Sequence, residues 1–181
     1  MEVIRTRIPD VLILKPRVFG DDRGFFLESY NRKQLAEVAG ITAEFVQDNH
    51  SRSEKNVLRG LHYQIRQPQG KLVRVVVGEV LDVAVDIRRS SPTFGRYVAE
   101  RLTADGKKML WIPPGFAHGF LVMSDTAEVL YKTTDYYSPE DERSILWNDP
   151  DLAISWPLHG APVISQKDKN GKFLTKADLF L

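Results

Sequence analysis

The chain has 181 residues, with 25 basic residues against 24 acidic ones and no cysteine. That length suits a single domain, residues 1–181, able to bury a core without disulfides or metals. The charge balance creates no global field toward nucleic acid or a membrane, and the missing thiols exclude disulfides, thiolate catalysis and Cys-ligated zinc.

From the N-terminus, Met-Glu-Val-Ile-Arg-Thr-Arg carries no apolar signal core, and no apolar run along the chain is long enough to span a bilayer. A cytoplasmic protein is expected. Short apolar or alternating segments then recur between Gly, Pro, Asn and Asp, which is the rhythm of an all-β sandwich or barrel. Strands are predicted at Gly24–Tyr30, Thr42–Gln47, Leu58–Gln64, Leu72–Val77, Val80–Ile87, Arg96–Leu102, Met109–Ile112, Gly119–Met123 and Glu128–Thr134. An N-terminal strand at Val11–Leu14 is expected at an exposed sheet edge, where it can pair across the two-fold axis of a homodimer. Only one helix start is convincing. Asn31 can cap, Gln34 has the capping-box spacing, Leu35, Val38 and Ala39 make an apolar face, and Gly40 stops the helix. Between the third and fourth of these strands, Gln64–Lys71 reads as a turn. In Val80–Ile87, Leu81, Val83, Val85 and Ile87 share one face, and Asp82, Ala84 and Asp86 the other. The C-terminal part is polar and irregular, with short elements expected near Ile154 and Phe173.

The four histidines carry the chemical argument: His50, His62, His118 and His159. Cupin-type barrels usually hold a metal with three His and one Glu, and two of those His lie one residue apart. Here His62 is followed by Tyr63 and Gln64, so the second ligand is missing, and Lys71 lies close by in sequence. Pro113-Pro114-Gly115-Phe116-Ala117-His118 resembles the second cupin cluster. The chain thus resembles a cupin whose metal site has been dismantled. An imidazole released from a metal is available as a base near neutral pH. A structural histidine bonded inside the barrel is the alternative for His62. His118 is expected at a strand mouth after its Pro-Pro-Gly turn, as a ligand contact or a surface-turn histidine. His50 and His159 lie in polar, loop-like stretches and receive no role.

Longer motifs extend the resemblance. They are Asp21-Asp22-Arg23-Gly24-Phe25-Phe26, Gln47-Asp48-Asn49-His50-Ser51, Arg59-Gly60-Leu61-His62-Tyr63-Gln64, Gly70-Lys71-Leu72-Val73-Arg74-Val75 and Asp82-Val83-Ala84-Val85-Asp86-Ile87-Arg88. They continue with Pro113–Phe120, Leu130-Tyr131-Lys132-Thr133-Thr134-Asp135-Tyr136-Tyr137, Trp147-Asn148-Asp149-Pro150 and Ser165-Gln166-Lys167-Asp168. In this order, and nearly end to end, the chain resembles the dTDP-4-dehydrorhamnose 3,5-epimerases. The resemblance implies a cupin-like jelly-roll barrel with one or a few short peripheral helices, a homodimer, and no metal or other cofactor. It implies inversion of C3 and C5 in dTDP-4-dehydro-6-deoxy-D-glucose. It makes His62 the general base, Tyr131 the general acid, Asp168 the partner of His62 and Lys71 the support of the oxyanion. Arg23, Glu28, Gln47, Asn49, Arg59, His118, Glu142 and Lys167 would contact the dTDP-sugar. Thymine itself needs a stacking surface, for which Phe26, Tyr136 and Tyr137 are the candidates.

Taken alone, these residues also have plainer readings. Lys71 reads as a solvated turn lysine, Tyr131 as an amphipathic strand tyrosine and Asp168 as part of a solvated charge cluster. Enolate chemistry beside a ketone gives the combination its sense: it needs a base, an acid on the opposite face and a cation or donor at the developing oxyanion. Three other functions compete with the double epimerase. They are a single-centre epimerase on a related keto sugar, a non-catalytic sugar-nucleotide-binding barrel and a metal-dependent cupin.

Overall fold

The computed structural model describes residues 1–181. Two antiparallel sheets face each other as a jelly-roll barrel. The six-stranded sheet has the order β1 (Glu2–Arg5), β2 (Leu12–Lys15), β10 (Met109–Ile112), β7 (Lys71–Val77), β12 (Thr126–Thr133), β5 (Gln47–Glu54). The five-stranded sheet runs β13 (Glu142–Ser144), β6 (Leu58–Gln64), β11 (Phe116–Val122), β8 (Glu79–Asp86), β9 (Tyr97–Thr103). A separate hairpin, β3 (Val18–Asp21) and β4 (Gly24–Leu27), joins neither sheet. No helix is long and apolar enough to cross a membrane.

Three apolar layers hold this arrangement. Between the sheets, Val73, Val75, Val80, Leu110, Phe120 and Val129 fill one part of the barrel. The outer face of the five-stranded sheet, with Leu61, Tyr63, Val83 and Val85, packs under the C-terminal segment through Leu152, Leu174 and Ala177. The outer face of the six-stranded sheet, with Leu12, Leu72 and Met109, packs under Leu35 and Ile41. Leu35 belongs to α1 (Arg32–Ala39), where the Asn31 side chain accepts from the Gln34 N–H and Gly40 closes the helix in the left-handed conformation, as the sequence predicts.

Several predicted boundaries move, each for a physical reason. Residues 42–46 are not a strand. Their apolar members cover the outer face instead: Phe45 packs edge-on against Tyr30 and Trp111. The strand begins at Gln47 and runs through the polar sequence QDNHSRSE, paired along its whole length with β12. His50 therefore lies in a strand, where its Nε2 is 2.9 Å from Glu128. The Val11–Leu14 segment is not a free edge, because β2 is paired on one side with β1 and on the other with β10. Strand β11 starts at Phe116, which pairs with Asp86, so His118 lies within a strand and is buried. It does not sit at a strand mouth. Near the C-terminus the Phe173 expectation becomes a 3-10 turn at Leu174–Lys176, whereas no regular element forms at Ile154.

Candidate active site

Strand β6 carries His62 into the barrel because its alternation sends Leu61 and Tyr63 to the outer layer. Its neighbour β11 pairs His118 directly opposite His62. Beyond that pair the register shifts, and the two backbones approach closely at Gly60 and Gly119. A Cβ on Gly60 would lie 2.6 Å from the Gly119 Cα, so only glycine fits there, and its φ of +112° favours glycine as well. The backbone before His62 is thereby packed against β11.

His62 Nε2 lies 2.5 Å from Asp168 Oδ1. Asp168 comes from α2 (Gln166–Lys169), one turn capped by Ser165, whose Oγ accepts from the Asp168 N–H at 3.1 Å. Burial pushes the Asp168 carboxyl up, but hydrogen bonds from His62, Ser165 and the Gly60 backbone outweigh it and hold the group below the usual carboxylate range. Asp168 is therefore an ionised partner for the imidazole and not a solvated charge. The Ser165-x-x-Asp168 spacing is the local sequence signal for this turn.

Across the barrel, β12 presents Tyr131 from the opposing sheet, paired with Asn49 on β5 and Val73 on β7. Tyr131 packs against the interior apolar cluster. Burial pushes its phenol up, and the nearby Arg59 charge partly offsets this, so it is a neutral proton donor at physiological pH. Lys71 opens β7 and is only 8% exposed. Its Nζ donates to the His62 carbonyl at 3.4 Å, and burial pulls its pKa down to about 8. The plain reading of a solvated turn lysine is excluded by that burial.

One cleft is lined by His62, Lys71, Tyr131, Gln47, Asn49 and Glu142, together with Tyr63, Gln64, Gln69 and Tyr137. At its rim Glu142 accepts from Lys167 Nζ at 2.5 Å and from the Tyr137 hydroxyl at 2.7 Å. Burial raises the Glu142 carboxyl, yet these two donors hold it low. Gln47 donates to Asn49 at 2.9 Å and accepts from the Tyr137 N–H at 3.1 Å. Arg59 reaches Ser53 at 2.9 Å and remains exposed. His118 lies deeper, with Nε2 at 2.9 and 3.0 Å from the two Asp82 oxygens.

Thus the structure gathers His62, Asp168, Lys71, Tyr131, Gln47, Asn49, Glu142 and Lys167 around one opening. Arg23, Phe26 and Glu28 do not line it. Arg23 pairs with Asp21 at 2.6 Å on the β3–β4 hairpin, Phe26 is 65% exposed on the same hairpin, and Glu28 accepts from Asn31. Of the three candidate stacking aromatics, Tyr137 alone borders the cleft. Asp82 received no role from the sequence. No group of three His, Asp and Glu side chains is placed to hold a metal ion.

A family model for dTDP-4-dehydrorhamnose 3,5-epimerase matches residues 5–176. The chain belongs to that family. It is an isomerase, an epimerase by type. The dTDP-4-dehydrorhamnose 3,5-epimerase of Pseudomonas aeruginosa is 63% identical over 180 residues, 99% of each chain. A solved Legionella pneumophila dTDP-6-deoxy-D-glucose-3,5-epimerase, in complex with dTDP-4-keto-L-rhamnose, superposes with a TM-score of 0.96 at 55% identity. That match covers 98% of this chain and 94% of the other. A 3'-monoepimerase from Streptomyces bikiniensis, in complex with dTDP-quinovose, reaches a TM-score of 0.88 at 31% identity, covering 94% of this chain and 87% of that one.

Proposed function

We propose that this chain inverts C3 and C5 of dTDP-4-dehydro-6-deoxy-D-glucose by proton removal and return beside the C4 ketone. The observation that carries this reading is one cleft with a His–Asp pair on one sheet, a buried neutral tyrosine on the facing sheet and a buried lysine between them. His62 takes the ring proton, and Asp168 holds its tautomer and stabilises the imidazolium that forms. Lys71 supports the enolate oxygen as a compact charge. Tyr131 delivers a proton to the opposite ring face. Solvent then takes the proton from His62 and returns one to Tyr131, and repeating the cycle on the other side of the ketone inverts the second carbon. No metal enters these steps.

Gln47, Asn49, Arg59, His118, Glu142 and Lys167 serve substrate binding in this reading, with Arg59 and Lys167 suited to the diphosphate. Arg23, Phe26 and Glu28 point to a homodimer. The hairpin exposes Phe19, Phe25 and Phe26 and leaves these three residues outside the chain's own cleft, so a second copy is the natural recipient. A cytoplasmic location, with neither nucleic acid nor membrane as partner, belongs to the same reading.

The test is incubation with dTDP-4-keto-6-deoxyglucose in deuterated water, with NMR reading which ring carbons take up deuterium. Exchange at both C3 and C5 is expected. Exchange at one carbon would make the chain a single-centre epimerase, like the more distant 31% identical relative. His62→Ala should abolish both exchange and inversion, a loss of about 10²–10⁴-fold. Tyr131→Phe should keep exchange while losing net inversion, because His62 can return a proton to the face it came from. Wild-type exchange in His62→Ala with none in Tyr131→Phe would reverse the two roles.

A further inference from the structure

Two aspartates lie on the interior face of β8, and their surroundings differ. Both are completely buried. Asp86 is satisfied at one end of the barrel by Arg88 at 2.7 Å, by Ser91 at 2.5 Å and by Thr93 at 2.6 Å. These donors overcome its burial and hold its pKa at about 2, as befits a structural clasp. Asp82 has no such network. Both its oxygens rest on one atom, His118 Nε2, at 2.9 and 3.0 Å, and no arginine or lysine forms an ion pair with it. A buried carboxylate so thinly supported is costly unless a cation lies close by. Lys71 supplies that cation: its Nζ donates to the His62 carbonyl at 3.4 Å, His62 pairs with the Asp82-bound His118 across the strands, and Asp82 is the carboxylate that favours the Lys71 charge most.

The geometry also settles the His118 proton. An ionised carboxylate only accepts hydrogen bonds, so Nε2 carries the hydrogen. Burial favours the neutral imidazole, even against the pull of Asp82. Nδ1 is then an unprotonated acceptor. It makes no hydrogen bond, and Ser51 Oγ is the one fully buried side-chain polar atom without a partner, so Nδ1 keeps access to open space. His118 pairs with His62 across the strands, so its ring lies on the same face of the sheet as the catalytic imidazole.

We propose that Asp82 is a positioning residue for the epimerisation: its carboxylate keeps the His118 proton on Nε2, leaving Nδ1 to accept from the substrate, and supplies the counter-charge that keeps Lys71 an ammonium. The proposal rests on Lys71 as the cation at the enolate. The groups facing Lys71 are Asp82 on β8, Glu142 on β13, Lys167 on α2, His62 on β6, His118 on β11 and Tyr131 on β12. Glu142 adds to the effect of Asp82, and Lys167 opposes it. Glu142 is already engaged by Lys167 and Tyr137, whereas Asp82 has no other cation to serve.

The experiment is Asp82→Asn, which keeps the shape and removes the charge. Wild-type kcat/KM should fall as pH rises through about 8, where Lys71 loses its proton. In the variant this basic limb should move down by about one pH unit or more, the size expected when an opposite charge is removed. At pH 8 kcat should drop about fivefold or more with KM little changed, and activity should recover partly toward pH 6.5. A loss that is uniform across pH, with the limb unmoved, would indicate a structural role and overturn the proposal. Two NMR readouts need neither turnover nor substrate. In the wild-type protein at pH 7–8, imidazole 15N shifts should show His118 protonated on Nε2 alone, and the Lys71 Nζ signal should titrate earlier in Asp82→Asn. His118 found as the Nδ1–H tautomer or as imidazolium overturns the proposal even if the variant fails to fold. Failure of the epimerase reading would leave these signals as expected, so the two failures can be told apart.

Discussion

Replacing Lys71 with methionine should separate stability from activity. Lys71 is 8% exposed, and burial lowers its pKa to about 8. An unfolded lysine titrates near 10.4, and each pKa unit is worth about 1.36 kcal/mol, so the buried ammonium costs the fold about 3 kcal/mol at neutral pH. The sign follows from the depressed value. The folded state prefers the neutral amine, so the cost is fully present below pH 8 and fades as pH rises from about 8 toward 10.4. Lys71→Met keeps the length of the side chain and removes the charge. Its stability at pH 7 should exceed that of the wild type by up to about 3 kcal/mol, while the enolate loses its cation and turnover collapses. Urea unfolding of both proteins at pH 7 and pH 9.5 reads this directly. The gap should narrow at the higher pH, because the wild type regains stability and the variant has nothing to titrate. A variant less stable than wild type at pH 7, or a gap independent of pH, would refute the electrostatic account of Lys71.

Two further outcomes complete the test of the site and its assembly. Exhaustive dialysis against EDTA should leave epimerase activity intact, and a loss restored by zinc, iron or manganese would show that a metal takes part. Light scattering at micromolar concentration should give twice the chain mass of 20.6 kDa, and a monomer would contradict service of the β3–β4 hairpin to a second copy.

Local chemistry made much of this protein legible. The α1 helix was readable from Asn31, Gln34 and Gly40 because caps act within one turn of the chain. Strands β6, β7, β8 and β10 were readable because both of their faces are largely buried, which leaves apolar runs and alternation in the sequence. His62 stood out because the second ligand of a cupin metal site was missing beside it. What misled the reading was the polar interior. Strand β5 has no apolar face at all: Gln47, Asn49, Ser51 and Ser53 turn toward the barrel, where the site needs polar groups, and Asp48, His50, Arg52 and Glu54 turn away. Its hydrophobic pattern is given up to function, and the strand-like apolar signal lies instead in the neighbouring residues 42–46, which only cover the sheet.

Tertiary structure alone decided the rest, because it concerns groups distant in sequence. His62 and Asp168 are 106 positions apart, and the Ser165-x-x-Asp168 spacing marks a capped turn without saying what Asp168 will face. Only the packing of α2 against β6 buries Asp168 and gives its charge a partner. The two faces of Val80–Ile87 were separable in the sequence, but which face lies inside was not. The structure sends Leu81, Val83 and Val85 outward under the C-terminal segment, and turns Asp82 and Asp86 inward. Asp86 is then explained by its loop donors and Asp82 by the cleft. A sequence reports the periodicity of a strand. It does not report which sheet will cover each face, and burial, the quantity that moves the pKa of Lys71, His118 and Tyr131, is set by that covering.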